Sequence, residues 1–210
     1  MTRRALLGLL LLGGCSVLPN RPYQEPQRFA LSAERPRQEA PARRGPVLLL
    51  RTLRSAPGLD QRGLRVLGPD GRVEVEYWNE WVAPPVELVE EALRRWLTAS
   101  GRFAGVTLPG SRIRPDLILE GELTRLEAVP AAGEARAALS VLLDEEGRSG
   151  AAQRILGQFV AEGAAPLPRG QREGAVAAAA MAAALGAALA ETERRLAAAM
   201  APPGARAGRR

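Results

Sequence analysis

The chain has 210 residues, with 29 basic and 23 acidic side chains that give a formal net charge of +6, and this length is sufficient for one domain with a buried core. It contains no histidine and no lysine, and its one cysteine is Cys15, so it cannot build a Ser-His-Asp triad, a Cys-His pair, a zinc site with nitrogen ligands, a P-loop or a Schiff base. We therefore predict a protein that is not an enzyme and has no metal, cofactor or catalytic residue. Its arginines alternate with acidic residues instead of forming a stripe, so we expect no nucleic-acid partner.

The first fifteen residues have the layout of a bacterial lipoprotein signal. Two arginines precede an apolar run, Ala5 to Leu12, and its about 8 residues are too few to span a bilayer, which requires ~20. The next residues, Gly13 and Gly14, complete a sequence resembling a lipobox before the cysteine. We predict a signal peptide over residues 1–14 and acylation of Cys15 as the mature amino terminus. The alternatives are an ordinary signal peptide and a buried apolar start with an incidental cysteine.

The segment from Ser16 to Pro46 is rich in proline, arginine, glutamate and glutamine. This composition predicts an extended tether, interrupted by a short first strand at Phe29–Leu31. The branched, leucine-rich run from Val47 to Leu53 predicts a buried strand. We therefore expect a lipidated tether over residues 15–46 and a folded domain over residues 47–200, followed by a disordered basic tail over residues 201–210.

Two short runs flank the turn sequence Gly68-Pro69-Asp70-Gly71. They are Leu64–Leu67 and Val73–Trp78, and together they predict a β-hairpin. In the second arm, Val73, Val75 and Tyr77 should share one face.

A helix is predicted after Trp81. Pro84 and Pro85 suit a helix start, and a Ser-Gly pair at residues 100–101 suits its end. The apolar residues between them recur at helical spacing and form one stripe, which comprises Val86, Val89, Leu93, Trp96 and Leu97. We expect this helix to lie on a sheet; a membrane-surface helix is the alternative.

Four further strands are predicted from alternating apolar residues. They are Phe103–Leu108, Asp116–Glu127, Ala135–Asp144 and Gln153–Glu162, and the last three should form an antiparallel meander with one wet face. In the last strand, Ile155, Gly157, Phe159 and Ala161 should share a face. The carboxylates at residues 120, 122 and 144–146 are the candidates for acid–base chemistry, but in a strand and a turn they are better explained as solvated charge.

An alanine-rich helix is predicted from Arg172 to about Met200. Its uncharged part, Gly174 to Ala190, is weakly lipophilic, which argues against a transmembrane span. Its small side chains permit close approach to the sheet or to a neighbouring subunit. The predicted fold class is therefore α+β: a single domain with a largely antiparallel or mixed β-sheet packed by two main α-helices.

These features occur in an order that resembles a known family. The sequence carries in succession a lipobox, Phe29-Ala30-Leu31, the loop Pro57–Asp60, the pattern Trp81-x-x-Pro84-Pro85, the pattern Ser100-Gly101-x-Phe103, the strand Asp116–Gly121 and an alanine-rich last helix. This order resembles the ABC-type transport auxiliary lipoproteins over roughly residues 12–198. The Pro/Arg-rich segment after Leu31 and the valine at position 82 depart from the family pattern.

The resemblance implies a non-catalytic role in transport. Such lipoproteins are outer-membrane partners of an ABC transporter, with a permease, an ATPase and a periplasmic protein of the MCE (mammalian cell entry) type that carries lipid. This chain would dock the MCE protein, facing the periplasm and anchored through Cys15. By resemblance to Gram-negative sorting rules, Ser16 after the cysteine favours the outer membrane. Trp81, Pro84 and Pro85 would shape the fold, and ring-shaped partners favour a homo-oligomer.

Two other functions remain open at this point. One is an outer-membrane assembly lipoprotein for lipopolysaccharide or a secreted polymer. The other is a lipoprotein hydrolase that acts on cell wall or lipid, which would require a pair of carboxylates in a cleft.

Overall fold

The structure is a computed structural model that describes residues 24–146 and 153–201. The strands in these ranges are β1 (Gln27–Phe29), β2 (Val47–Leu50), β3 (Arg54–Ser55), β4 (Gly63–Leu67), β5 (Val73–Trp81), β6 (Gly105–Thr107), β7 (Leu117–Val129), β8 (Glu134–Glu145) and β9 (Arg154–Pro166). The helices are α1 (Pro85–Ala99) and α2 (Gly174–Met200). The predicted signal peptide, Cys15 and all but the first residue of the predicted basic tail lie outside the described residues.

All of these strands belong to one mixed sheet organised around β7. On one edge of β7, β8 pairs antiparallel along nearly its whole length, and β9 pairs antiparallel with β8. On the other edge, the short strands β2, β3 and β4 follow one another and pair with it in parallel. The strand β6 extends the sheet beyond β2, and β5 and then β1 extend it beyond β4. The predicted α+β class, with a single sheet packed by two helices, is confirmed.

The meander of long strands follows the predicted alternation. The predicted inward residues of β7 and β8 are buried, with Leu119, Leu123, Leu139 and Leu143 at zero exposure. The prediction for Ile155 is wrong, since its side chain is 65% exposed. The register shifts between Leu143 and Asp144, so that one extra residue enters β9 and Leu156 packs on the core instead. A bulge of this kind reverses which side chains face inward.

The strands near the amino terminus are shorter and differently placed than predicted. The strand predicted over Val47–Leu53 ends at Leu50 as β2, and β3 follows separately at Arg54–Ser55. These two strands pair with successive parts of β7. The first strand ends at Phe29 instead of Leu31 and pairs in parallel with the end of β5. Leu31 is nonetheless buried, at 4% exposure, because it packs into the core after the strand has ended.

The helix α1 begins and ends as predicted. Pro84 is the residue before the first turn and Pro85 occupies its first position, where a missing N–H costs nothing. The predicted stripe faces the core. Four of its five members are nearly inaccessible to solvent, Val89, Leu93, Trp96 and Leu97, and Val86 is partly buried. At the other end, the Ser100 hydroxyl donates to the carbonyl of Leu97 at 2.6 Å and Gly101 has φ +68°, a conformation that favours glycine.

The helix α2 packs on β8 and β9, and a glycine sets the distance. A Cβ atom placed on Gly163 would lie 2.2 Å from the carbonyl oxygen of Ala184 and 2.3 Å from the amide nitrogen of Ala188, so the helix backbone rests directly on the strand. By length and composition α2 could cross a membrane, with a mean hydropathy of 1.6, but half of that apolar window is buried inside the protein. Its alanines therefore serve close packing on the sheet.

Residues 30–46, which we call the strap, connect β1 to β2. The sequence predicts a tether here, whereas the structure shows contacts with the domain. Ala33 is 5% exposed and belongs to the core, and the amide of Glu39 donates to the carbonyl of Ala99 at 2.9 Å. The folded domain therefore extends on the amino-terminal side of residue 47, because the few apolar residues of this polar segment are enough to hold it against the helices.

Candidate functional site

The predicted fold-shaping residues meet where β5 turns into α1. Trp81 is the last residue of β5 and is 1% exposed. Its amide donates to the carbonyl of Arg62 at 2.8 Å, and it lies beside Phe29 of β1. Pro84 and Pro85 follow, and the Pro84 carbonyl accepts from the amide of Glu87 at 3.1 Å. The large indole and the two prolines thus lie where the chain leaves the sheet for the helix.

The carboxylates considered for acid–base chemistry are dispersed into separate contacts. Glu120 forms an ion pair with Arg51 at 2.8 Å, and Glu145 forms one with Arg154 at 2.8 Å. Asp144 is buried and its Oδ2 accepts from the side-chain amide of Gln153 at 3.0 Å. Within residues 24–146 and 153–201, no group of three or more Cys, Asp or Glu residues could hold a metal ion.

The most conspicuous exposed surface is on β5, and we call it the β5 surface. It consists of five large apolar side chains that are 39–76% exposed: Val73, Val75, Tyr77, Trp78 and Val82. The rings of Tyr77 and Trp78 meet edge to face, with centroids 4.8 Å apart. Exposed clusters of this size rimmed by charge are typical of interaction sites, and tyrosine and tryptophan are the residues most enriched at the energetic centres of interfaces.

The β5 surface also adjoins an open strand edge. The strand β4 pairs with one edge of β5, whereas β1 covers only Asn79–Trp81 on the other edge. The backbone of Val73–Trp78 on that second edge has no strand partner among the described residues. The register with β4 is irregular between Val75 and Glu80, so the regular part of this edge, Val73–Val75, is the part that can accept a strand from another chain. The side chains and the backbone of β5 therefore offer two compatible ways to bind a protein.

A buried carboxylate connects the strap to both helices. Glu193 of α2 is 7% exposed. Its carboxylate accepts from Nε of Arg35 in the strap at 3.0 Å, from Nε1 of Trp96 in α1 at 2.9 Å and from Nε of Arg102 at 3.1 Å. Burial alone raises the pKa of the Glu193 carboxyl, but the hydrogen bonds from Arg35, Trp96 and Arg102 more than offset this effect, so the pKa lies below its ordinary value of 4.5. The carboxylate therefore stays charged and stabilises the packing of three separate segments.

The predictions from the sequence do not include this cluster. Glu193 stands in the run Glu-Thr-Glu-Arg-Arg, which has the spacing of ordinary surface ion pairs on a helix. Its neighbour Glu191 does form such pairs, with Arg194 and Arg195. Thr192, directly before Glu193, is also buried. A helical projection of the apolar residues of α2 could have placed both residues on the buried face of the helix.

We expect Glu193→Gln to lower the free energy of unfolding by about 2 kcal/mol at neutral pH, since hydrogen bonds to a charged group contribute ~1.5–3 kcal/mol. The pKa of the Glu193 carboxyl is lower in the folded protein than in the unfolded chain. Its charge therefore contributes fully to stability above pH 4.5 and less as the pH falls below that value. Urea unfolding of the two proteins should therefore differ most at neutral pH and converge in acid. Glu191→Gln is the matched control, with an expected change below about 0.5 kcal/mol. Equal losses in the two variants, at every pH, would contradict the assignment.

An open apolar groove lies between the strap, α1 and α2. It has a volume of about 620 Å³, and its walls include Pro36, Trp96 and the small residues Ala179, Ala183 and Gly186. Its polar lining residues are Ser32 and Glu34, both from the strap.

Comparison with known proteins gives a family and a fold. A family model described as an ABC-type transport auxiliary lipoprotein component matches residues 29–197. No curated protein matches the chain. Among solved structures, a Xanthomonas campestris protein of the DUF330 family is similar with a TM-score of 0.67 and 20% identity, over 82% of this chain and 96% of that one. An uncharacterised protein is similar with a TM-score of 0.59 and 14% identity, over 82% and 99%. At these identities the structural likenesses concern the fold.

Proposed function

Since the chain belongs to the ABC-type transport auxiliary lipoprotein family, we propose that it is the outer-membrane component of an MCE-type ABC transporter that moves lipids between the inner and outer membranes. Acylated Cys15 anchors it, facing the periplasm, and the domain docks the periplasmic MCE protein. The permease and the ATPase of the transporter supply the energy. The family match over residues 29–197 is the observation that supports this role most strongly.

The β5 surface is our proposed docking site for the MCE protein. It combines two adjacent aromatic side chains with an open strand edge. Its carboxylates are partly engaged elsewhere: Glu76 accepts from the side chain of Asn79 at 3.0 Å, and Glu74 pairs with Arg172. The partner therefore meets mainly apolar and backbone groups here, which suits contact with a strand or loop of another protein.

The docking proposal predicts a large loss of binding from two substitutions on the β5 surface. Truncating hot-spot aromatic residues costs ~2 kcal/mol or more each, so we expect Tyr77→Ser with Trp78→Ser to weaken binding of the MCE protein by at least about 30-fold. Binding is measured with the purified full-length lipoprotein and an MCE-type protein from the same organism. Because both side chains are exposed, the double variant should keep its unfolding midpoint.

The matched control carries Ile155→Ser with Val160→Ser on β9. These apolar side chains are 65% and 48% exposed and belong to a different edge of the sheet. We expect the control to bind like the original chain. Equal binding by both double variants would exclude the β5 surface as the docking site. Binding of a lipopolysaccharide-assembly or polymer-secretion component, in place of an MCE protein, would favour the assembly function.

A further inference from the structure

Exposed arginines and an exposed isoleucine lie where β2 and β7 begin. Arg43 and Arg44 lie shortly before β2, and Arg112 and Ile113 lie shortly before β7; all four are exposed, Ile113 by 59%. Among the described carboxylates, none forms an ion pair with any of these three arginines. We call this group the basic end. Exposed guanidinium groups beside an exposed aliphatic side chain can contact a surface that is both anionic and partly apolar.

Hydrogen bonds bring the two segments together. The amide of Val47 donates to Oδ2 of Asp116 at 2.9 Å, and the amide of Asp116 donates to the carbonyl of Val47 at 2.9 Å. Val47 is three residues after Arg44 in the chain, and Asp116 is three residues after Ile113. Helix α2 ends near the same end of the sheet, because its residue Ala199 lies next to Gly157 of β9. Gly157 pairs with Leu143 of β8, and Leu143 pairs with Leu119 near the start of β7.

We propose that the basic end rests on the anionic surface of the lipid bilayer that holds the anchor, with the Ile113 side chain inserted at the level of the headgroups. The arginines match the phosphate charge of the lipids, and the planar guanidinium binds phosphate through paired hydrogen bonds. An apolar side chain between basic ones is the arrangement that interfacial membrane contacts use. This inference rests on the proposed acylation of Cys15.

The position of the β5 surface agrees with this orientation. Leu48 of β2 pairs with Leu117 at the start of β7, whereas Val66 of β4 pairs with Ala128 near its end. With a rise of ~3.3 Å per residue along β7, these two levels of the sheet, at Leu117 and at Ala128, are about 36 Å apart. The β4–β5 turn lies beyond the second level, so a domain standing on its basic end directs the β5 surface away from the membrane.

The tether is long enough for this arrangement. The chain from Cys15 to Gln27 spans up to about 40 Å when extended, at ~3.3 Å per residue. This reach exceeds the distance between the two levels of β7. The anchor therefore permits the basic end to touch the bilayer while β1 stays paired with β5.

The test uses the fact that Cys15 is the only cysteine, and acylation removes its thiol. Ile113→Cys therefore gives the full-length lipoprotein one reactive thiol for an environment-sensitive fluorophore. The labelled protein is reconstituted into vesicles of phosphatidylethanolamine and phosphatidylglycerol. We expect a blue shift of the emission and quenching by nitroxide-bearing lipids. Both effects should weaken in 1 M salt, where the Debye length falls to ~3 Å, and in vesicles of phosphatidylcholine.

Val73→Cys is the matched control, since Val73 is an exposed β-branched residue beside the β4–β5 turn. A fluorophore at this site should report water in every vesicle. Arg43→Ser with Arg44→Ser and Arg112→Ser should abolish the shift at position 113 without releasing the protein from the vesicles. If the protein floats with the vesicles but position 113 reports water, the orientation is wrong. If the protein does not float at all, the anchor fails and the orientation fails with it.

Discussion

Trp81→Ala is expected to lower the free energy of unfolding by about 3–5 kcal/mol, the usual cost of truncating a large buried aromatic side chain. Trp81 is 1% exposed and belongs to the single core cluster. It also terminates β5 at the point where β1 pairs with that strand, and α1 begins shortly after it. The cavity therefore lies at a junction of three elements, and the loss of contacts should affect all of them.

Trp78→Ala is the matched control for this effect. Trp78 lies on the same strand but is 39% exposed, so its removal should cost less than about 1 kcal/mol. Both values come from urea unfolding followed by circular dichroism, which avoids changes in tryptophan fluorescence. A loss at position 78 as large as the loss at position 81 would contradict the fold-shaping role that we propose for Trp81.

Gly163→Ala should destabilise the protein by about 3 kcal/mol or more, although it adds a single methyl group. Overpacking usually costs ~1–3 kcal/mol, and here the added carbon would meet backbone atoms of Ala184 and Ala188 at 2.2 and 2.3 Å. Backbone of a helix cannot rotate away as a side chain can. The whole of α2 would have to move off β9, which opens the core along the length of the contact.

Gly186→Ala places the same methyl group on α2 itself. Nothing lies within 4 Å of a Cβ atom at that position, and alanine in a helix is favoured over glycine by ~1 kcal/mol. The expected result is a small gain in stability. Thermal and urea unfolding of both variants measure this contrast. An unchanged midpoint for Gly163→Ala would show that α2 does not rest on β9 as the structure describes.

The sequence predicts the elements whose signals are local. The prolines at positions 84 and 85, followed by an apolar stripe, mark α1 correctly, and strict alternation marks β7 and β8. The bulge that exposes Ile155 has no such signal, because the alternation of residue types continues through it. The order of β2, β3 and β4 along β7 is equally hidden, since parallel pairing depends on crossovers and not on a pattern within each strand.

The candidate site could be predicted only in part. The alternation of Val73, Val75 and Tyr77 predicts that they share one face, but such alternation does not tell whether that face is buried or exposed. Only the structure shows that these side chains are exposed. The cluster around Glu193 joins residues far apart in the chain, and periodicity carries no information about such contacts. The polar composition of the strap predicts a tether, whereas its residues Leu31 and Ala33 are buried in the core.

We propose that this lipoprotein docks an MCE-type protein at the outer membrane. The most direct test of this claim is gentle detergent purification of the full-length, acylated protein from its own outer membranes after cross-linking, with mass spectrometry of the proteins and lipids that accompany it. We predict recovery of an MCE-type protein together with phospholipid. Recovery of a lipopolysaccharide-assembly or polymer-secretion component instead, or of no partner after cross-linking, would contradict the claim.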